Sequence, residues 1–231
     1  MIKINRADCP SMLAIGRDID NKACHKEVVK ILHIMQHGKC CYCEKKIDTE
    51  GNGQAIEHIR PKAQDKYPEL KNEWTNLLHS CVDCNGKKSS QFPVDAKNNP
   101  LIINPSEPSI DPSVDPENHF DFEIDDEDDS TFGRIKAKGN SAQAEKTIEV
   151  IGLDLVARRR DRCSIYIDLY KAYIEIVQAD DEVTKGQKIQ AFEAMLGANN
   201  PYAAFARAFA RKKNLIERFN IRILQGAEVA A

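Results

Sequence analysis

Four of the eight cysteines form two closely spaced pairs that could bind one metal ion. The first pair is Cys40 and Cys43, and the second is Cys81 and Cys84, so each has the C-x-x-C spacing of a zinc knuckle. Four sulfur ligands make a closed tetrahedral site, so we expect a structural zinc ion that stabilises a short, loop-rich segment. Cys41 could replace Cys40 as a ligand, although the gap in the first pair would then be a single residue.

A redox dithiol is the alternative chemistry for such pairs. The absence of a thioredoxin-like βαβ pattern around either pair argues against it. No apolar run approaches the roughly 20 residues that span a bilayer, and the sequence starts without the apolar stretch of a secretory signal. We therefore expect a cytoplasmic protein with no membrane partner, and in that reducing compartment clustered cysteines more often bind metals than form disulfides.

A carboxylate, an imidazole and an amide lie among these cysteines. Glu57 and His58 are adjacent between the two pairs, and Asn85 directly follows the second pair. Hydrolysis of a phosphodiester needs a water nucleophile, a base that deprotonates it, and a cation that stabilises the developing negative charge. An imidazole with an ordinary pKa of about 6.5 can be that base, and oxygen ligands favour Mg²⁺ or Mn²⁺. On a regular strand Glu57 and His58 would point in opposite directions, so both could face one phosphate only if the backbone bends.

The order of these motifs is similar to that of the zinc-bearing HNH endonucleases, also called ββα-metal nucleases. The resemblance implies a β-hairpin packed on a helix, with Glu57 and Asn85 holding the catalytic Mg²⁺ or Mn²⁺ and His58 acting as the general base. It also implies that Asn76 constrains the loop and orients the base. The family usually has Asp where Glu57 stands, and the longer side chain could change the choice of metal.

Basic residues around these groups could contact phosphates, and the alternative for each is a solvated surface charge. The formal net charge of -3 argues against binding through global basicity, so any contact must come from local patches. Two further basic clusters, at residues 158–162 and 207–213, could meet nucleic acid or form solvated helix faces. The candidate phosphate contacts near the motif are Arg60, Lys62, Lys87 and Lys88.

The resemblance implies a small zinc-stabilised ββα-metal core. The pattern of apolar residues predicts an N-terminal helix over Cys24–His37 that stops at Gly38, and a mostly α-helical C-terminal region. Together they predict an α+β fold. A hairpin is predicted from strands at His119–Ile124 and Thr131–Lys136, with the acidic run Asp125–Asp129 at its tip. The predicted segments are 1–97 (helix and nuclease core), 98–139 (proline-rich connector and acidic hairpin) and 140–231 (helical domain expected to bind a partner).

One branch of the HNH family is similar over more of the chain. The Ile-Glu-His-Ile-Arg-Pro-Lys motif, the Gly-Lys-Cys-x-Tyr-Cys-Glu knuckle and the late Ile151-Gly152-Leu153 resemble HNH proteins of retrons and Septu-type anti-phage systems. This resemblance implies an effector nuclease, with DNA the favoured substrate, that works with an ATPase partner. In retron versions it also implies a reverse transcriptase and its RNA-linked DNA. Two alternatives stay open: an inactive zinc-knuckle subunit that binds nucleic acid or protein, and a structural subunit that only binds the ATPase.

Overall fold

The computed structural model describes residues 1–48, 53–107, 115–124 and 132–223. Helices and short strands both occur, so the predicted α+β class is confirmed. Helices α1 to α8 span Ser11–Ala14, Lys22–Met35, Val82–Lys88, Ala142–Ile151, Val156–Val177, Glu182–Met195, Ala203–Lys212 and Leu215–Phe219. Strands β1 to β4 span Gln54–His58, Leu77–Cys81, Phe120–Phe122 and Ile135–Ala137.

The predicted ββα arrangement is present in the segment that holds the cysteines. Strands β1 and β2 are antiparallel, with Glu57 opposite Leu78 and His58 opposite Leu77. Helix α3 begins directly after β2, and Cys81 is both the last residue of the strand and the N-cap of the helix. The connection between the strands, residues 59–76, contains two short 3₁₀ turns at Pro68–Leu70 and Trp74–Asn76.

Helix α2 supplies the apolar support for this hairpin. Its N-cap is Asn21, whose side chain accepts hydrogen bonds from two backbone amides of the first helical turn. Its fully buried Val28 and Leu32 belong to one core cluster with Trp74, the first residue of the second 3₁₀ turn, and Leu77, the first residue of β2. The predicted helix over Cys24–His37 is confirmed within two residues at each end, and Gly38 has the left-handed φ of 67° that suits a helix stop.

The proline-rich connector is packed where the structure describes it. Ile102 and Ile103 are buried, and the amide of Ile103 donates to Thr147 Oγ1 at 2.9 Å. A short 3₁₀ helix covers Pro116–His119. Strands β3 and β4 then pair as the predicted hairpin, while its acidic run Asp125–Asp129 lies outside the described residues.

Contacts divide the chain into two compact units. The first contains residues 1–120 and 137–153, and the second contains residues 121–136 and 154–231. The first unit therefore holds the ββα segment together with α4. The three-segment division proposed from the sequence concerns which parts fold or bind independently, and it stays a prediction.

In the second unit, arginines of both basic clusters are interior residues. Arg158, Arg162 and Arg207 are almost fully buried, in contrast to either of the surface interpretations made from the sequence. Arg162 donates through Nε to the carbonyl of Gly133, and Arg207 Nε donates to the carbonyl of Leu196 at 3.0 Å. The sequence did not predict this burial, because an arginine that is buried and bonded to a backbone carbonyl cannot be distinguished by sequence from an arginine at the surface.

No helix within the described ranges is both long enough and apolar enough to cross a lipid bilayer.

Candidate metal-dependent active site

The two cysteine pairs meet at one point of the first unit. The first pair lies in a turn closed by the bridge between Lys39 and Lys46, and the second lies at the junction of β2 and α3. The Sγ atoms of Cys40, Cys43, Cys81 and Cys84 all lie within 4.8 Å of one another.

This geometry fits a zinc ion. The Sγ atoms of Cys43 and Cys81 are 3.8 Å apart. A regular tetrahedron with Zn–S bonds of about 2.3 Å has edges of about 3.8 Å, so four thiolates at this spacing can share one ion. Burial raises the pKa of the Cys40 thiol, which means that this residue stays protonated near neutral pH unless a cation replaces its proton.

The structure distinguishes between the adjacent Cys40 and Cys41 as ligands. Cys40 belongs to the four-sulfur group, whereas Cys41 does not. Cys41 is also buried, and its amide donates to the carbonyl of His79 at 3.0 Å. Cys41 therefore links the knuckle to β2 through its backbone amide. The candidate zinc ligands of the first pair are Cys40 and Cys43, which have the C-x-x-C spacing.

The Glu57 carboxylate, on β1, faces helix α3. Its Oε2 accepts a hydrogen bond from Asn85 Nδ2 at 2.8 Å, so the two predicted ligands of the catalytic ion are in contact. Its Oε1 is 2.8 Å from Lys88 Nζ and accepts from the Tyr42 hydroxyl at 3.2 Å. Glu57 is 1% exposed, and burial raises its pKa even though Lys88 and the other donors oppose that shift.

This group has the donor chemistry of a divalent-ion site, with a carboxylate and an amide side chain on neighbouring elements. The amide of Asn85 can present either its nitrogen or its oxygen by rotating, so the same pair can hold a cation through two oxygens. Lys88 already provides a positive charge beside Glu57. A divalent ion at this position would therefore take over a charge-balancing role that the Lys88 ammonium has in the structure.

His58, the next residue of β1, makes its contact elsewhere. Its Nε2 lies 3.0 Å from the backbone carbonyl of Lys71. Because a carbonyl can only accept, Nε2 carries the proton, and Nδ1 of the neutral ring has the free lone pair. Burial lowers the pKa of His58 to about 4, so the ring is neutral at neutral pH. That is the protonation state a general base requires.

Asn76 holds the chain on both sides of this histidine contact. Its Oδ1 accepts from the amide of Arg60 at 2.8 Å, and its Nδ2 donates to the carbonyls of Arg60 at 3.0 Å and Leu70 at 3.1 Å. Leu70 directly precedes Lys71, whose carbonyl fixes the His58 ring. The amide of Asn76 thus joins the segment after β1 to the segment that orients the imidazole.

The sequence of the segment that holds these residues is similar to sequences of known proteins. Residues 40–91 match the family model described as HNH endonuclease. This segment is an HNH domain. It includes both cysteine pairs, the Glu57 and His58 pair, and all of α3.

Longer similarities extend beyond the HNH domain. The chain is 34% identical over 169 residues to the Septu protein PtuB of Bacillus thuringiensis, covering 68% of this chain and 56% of that protein. It is 31% identical over 129 residues to a retron Vc95 protein of Vibrio cholerae serotype O1 biovar El Tor that carries the HNH endonuclease name, covering 53% of this chain and 55% of that protein. The chain thus spans about half the length of these curated relatives.

A third relative has a different name and a greater length. The chain is 32% identical over 154 residues to the Septu protein PtuA of Bacillus mycoides (strain KBAB4). The match covers 56% of this chain but only 19% of that protein. A segment similar to this chain therefore lies inside a much longer PtuA-named protein.

The four predicted phosphate contacts of the HNH domain are placed differently from one another. Lys62 and Lys87 are exposed, and Lys62 is 4.0 Å from Asp20. Arg60 is half-buried, with its guanidinium over the rings of two aromatic residues. Lys88 is 1% exposed and bonds to Glu57 and to the carbonyl of His58, so this arrangement does not offer its ammonium to a phosphate at the surface.

Sequence reasoning missed Tyr42 and the inward role of Lys88. Both contact Glu57, and each carries a local signal. Tyr42 lies between the two cysteines of the first knuckle, where a buried side chain can reach β1. Lys88 lies three residues after Asn85 on α3, and residues at this spacing share one helix face.

Proposed function

We propose that this chain is a metal-dependent endonuclease that hydrolyses phosphodiester bonds of nucleic acid, with DNA as the favoured substrate. The observation that carries the proposal is the contact between Glu57 and Asn85 inside an HNH domain, with the neutral imidazole of His58 on the adjacent residue. A structural zinc on Cys40, Cys43, Cys81 and Cys84 would hold these elements together without taking part in the reaction.

Each residue has a defined part in this mechanism. His58 would accept the proton of the attacking water at Nδ1, since Nε2 is already protonated and held by the Lys71 carbonyl. Glu57 and Asn85 would hold Mg²⁺ or Mn²⁺ through their oxygens. When bound, such an ion supplies the positive charge that stabilises the phosphate and the leaving oxygen. Asn76 would keep the imidazole in position through the loop that it bridges.

Incubation of the purified chain with defined DNA and RNA species, single and double stranded, tests the proposal. We expect cleavage with Mg²⁺ or Mn²⁺ and none without added divalent ion. The variant Asn85→Ala should lose cleavage while retaining zinc, and Asn85→Asp should retain it, because a carboxylate still offers an oxygen ligand. Cleavage that is independent of divalent ions, or unchanged in Asn85→Ala, contradicts the proposal.

A catalytically inactive subunit is the second candidate, favoured by one observation. Both carboxylate oxygens of Glu57 already accept bonds from protein donors, and one of those donors is a buried ammonium. Such a carboxylate can serve the fold alone. An inactive subunit would bind nucleic acid or a partner protein and would show no divalent-dependent cleavage in the same assay.

We further propose that the nuclease acts in an anti-phage defence complex with an ATPase subunit. The similarity to Septu PtuB, to a retron protein and to a segment of a Septu PtuA protein supports this pairing. Exposed apolar side chains on α5, including Val156 and Ile167, support a partner-binding role for the helical region. Copurification with the products of neighbouring genes tests it, and a retron arrangement would add a reverse transcriptase and its RNA-linked DNA.

A further inference from the structure

A cavity of about 370 Å³ lies next to the catalytic residues in the first unit. Its walls come from the connection between β1 and β2 and from the segment after α3. Ile59, which directly follows His58, is one of its lining residues, and so is Asn76. The volume is at the small end of ligand pockets, which range over roughly 300–1,000 Å³, so it suits one planar ring system.

Arg60 is one of the residues that line this cavity. Its guanidinium carbon is 5.2 Å from the centroid of the Tyr67 ring and 5.1 Å from that of Phe92. Its backbone is fixed on both sides by the Asn76 side chain. Within the ranges that the structure describes, no hydrogen bond or ion pair engages the guanidinium. The aromatic rings therefore fix the position of a donor fork whose N–H groups are available to a ligand.

Two carboxylates line the same cavity, those of Glu73 and Glu107. Glu73 is held in place because its Oε1 accepts from the amide and the hydroxyl of Thr75, at 3.1 and 2.7 Å. These bonds lower its pKa, so the group is charged at neutral pH. Two acidic side chains beside one arginine make the cavity unfavourable for a phosphate. They favour a neutral ligand that offers both acceptors and N–H donors.

We propose that this cavity binds one unpaired guanine base of the nucleic-acid substrate, an inference that rests on the proposed nuclease function. Guanine offers its O6 and N7 acceptors to an arginine fork. Its N1–H and N2 amino group can donate to a carboxylate such as Glu73 or Glu107. Adenine has an amino group where guanine has O6 and would place a donor against the fork. Phe92, which also lines the cavity, supplies aromatic surface beside the bound base.

This site would set sequence preference near the cut. The cavity includes the residue that follows His58, so a base in it belongs to a nucleotide close to the scissile phosphate. Arg60 then reads a base edge, whereas the sequence had suggested a contact to the backbone phosphate. Lys62, exposed on the same connection, keeps the phosphate role.

Fluorescence anisotropy with labelled single-stranded oligonucleotides tests the proposal, in buffer without added Mg²⁺ or Mn²⁺. The probes are a 12-nucleotide thymidine strand and the same strand with one central guanine, adenine or inosine. A bidentate base contact gives about 1–3 kcal/mol of discrimination, so the guanine strand should bind about 5- to 150-fold more tightly than the thymidine strand. Inosine, which lacks the N2 amino group, should bind less tightly than guanine.

Variants separate the base site from general affinity. Arg60→Met should lower the affinity for the guanine strand to that for the thymidine strand. Lys62→Met should lower the affinity for all strands and leave the ratios between them unchanged. Circular dichroism and zinc content check the fold. If Arg60→Met does not fold, Glu107→Gln and Glu73→Gln should each be compared with wild type, and at least one should lose the preference of guanine over inosine. Equal binding of all strands by wild type, or a guanine preference unchanged in these variants, overturns the proposal.

The two proposals can fail separately. Divalent-dependent cleavage without guanine preference overturns the guanine site and leaves the nuclease. Guanine preference without cleavage of any strand in Mg²⁺ or Mn²⁺ overturns the nuclease and leaves the guanine site.

Discussion

The ammonium of Lys88 lies 2.8 Å from the carboxylate of Glu57, and both side chains are almost completely buried. The same ammonium donates to the carbonyl of His58 at 2.8 Å, so one side chain of α3 contacts two consecutive residues of β1. A buried carboxylate without a cationic partner is costly, because desolvation is then uncompensated. The pair therefore fixes the distance between the strand and the helix that carry the predicted metal ligands.

Removing this partner should destabilise the fold. Breaking a buried ion pair from one side costs about 3–5 kcal/mol, so Lys88→Met should lower the free energy of unfolding by that amount. Lys87→Met is the matched control, since Lys87 is exposed on the same helix, and its effect should stay within about 0.5 kcal/mol. Urea denaturation followed by circular dichroism measures both. Equal stability of the two variants would show that Glu57 does not depend on Lys88.

The cysteine cluster predicts which substitutions release zinc. Cys84→Ser and Cys40→Ser should each lower the zinc content and the melting temperature, because a structural zinc contributes folding energy directly. Cys41→Ser should retain one zinc per chain, since Cys41 lies outside the four-sulfur group. Metal analysis after gel filtration gives the stoichiometry. Loss of zinc from Cys41→Ser with retention in Cys40→Ser would reverse the assignment.

Asn76 provides a test of positioning. Asn76→Ala leaves the amide of Arg60 and two carbonyls without their partner, which should cost about 1–3 kcal/mol of stability. The cleavage rate should fall at least about tenfold, because a small displacement of a catalytic group is expensive. Asn76→Asp keeps the acceptor for the Arg60 amide, so its stability and kcat should lie between those of wild type and those of Asn76→Ala. Unfolding curves and kcat for the three proteins check this, and an unchanged kcat in Asn76→Ala would remove Asn76 from the mechanism.

The sequence predicted the parts of the site that depend on short spacing. The cysteine pairs, the adjacent Glu57 and His58, and Asn85 after the second pair are local patterns, and the alternation of β1 correctly predicts that Glu57 and His58 face different neighbours. The positions of Tyr42 and Lys88 indicate that both are near the site, but their contacts with Glu57 depend on how three elements pack.

Burial was also difficult to predict for charged residues and for the connector. Arg158 and Arg162 belong to a basic run that is typical of a solvated surface, yet both are buried. The composition of the proline-rich segment predicts an extended linker, yet Ile102 and Ile103 of this segment are buried in the first unit. In each case long-range packing decides the outcome.

The most direct measurement is the divalent-dependent cleavage rate of wild type, His58→Ala and His25→Ala. His25 is exposed on α2 and serves as the control for loss of an imidazole. General base catalysis contributes about 10²- to 10⁴-fold, so His58→Ala should cleave slower by that factor with zinc and fold retained, and His25→Ala should match wild type. A His58→Ala protein that cleaves as fast as wild type would contradict the account.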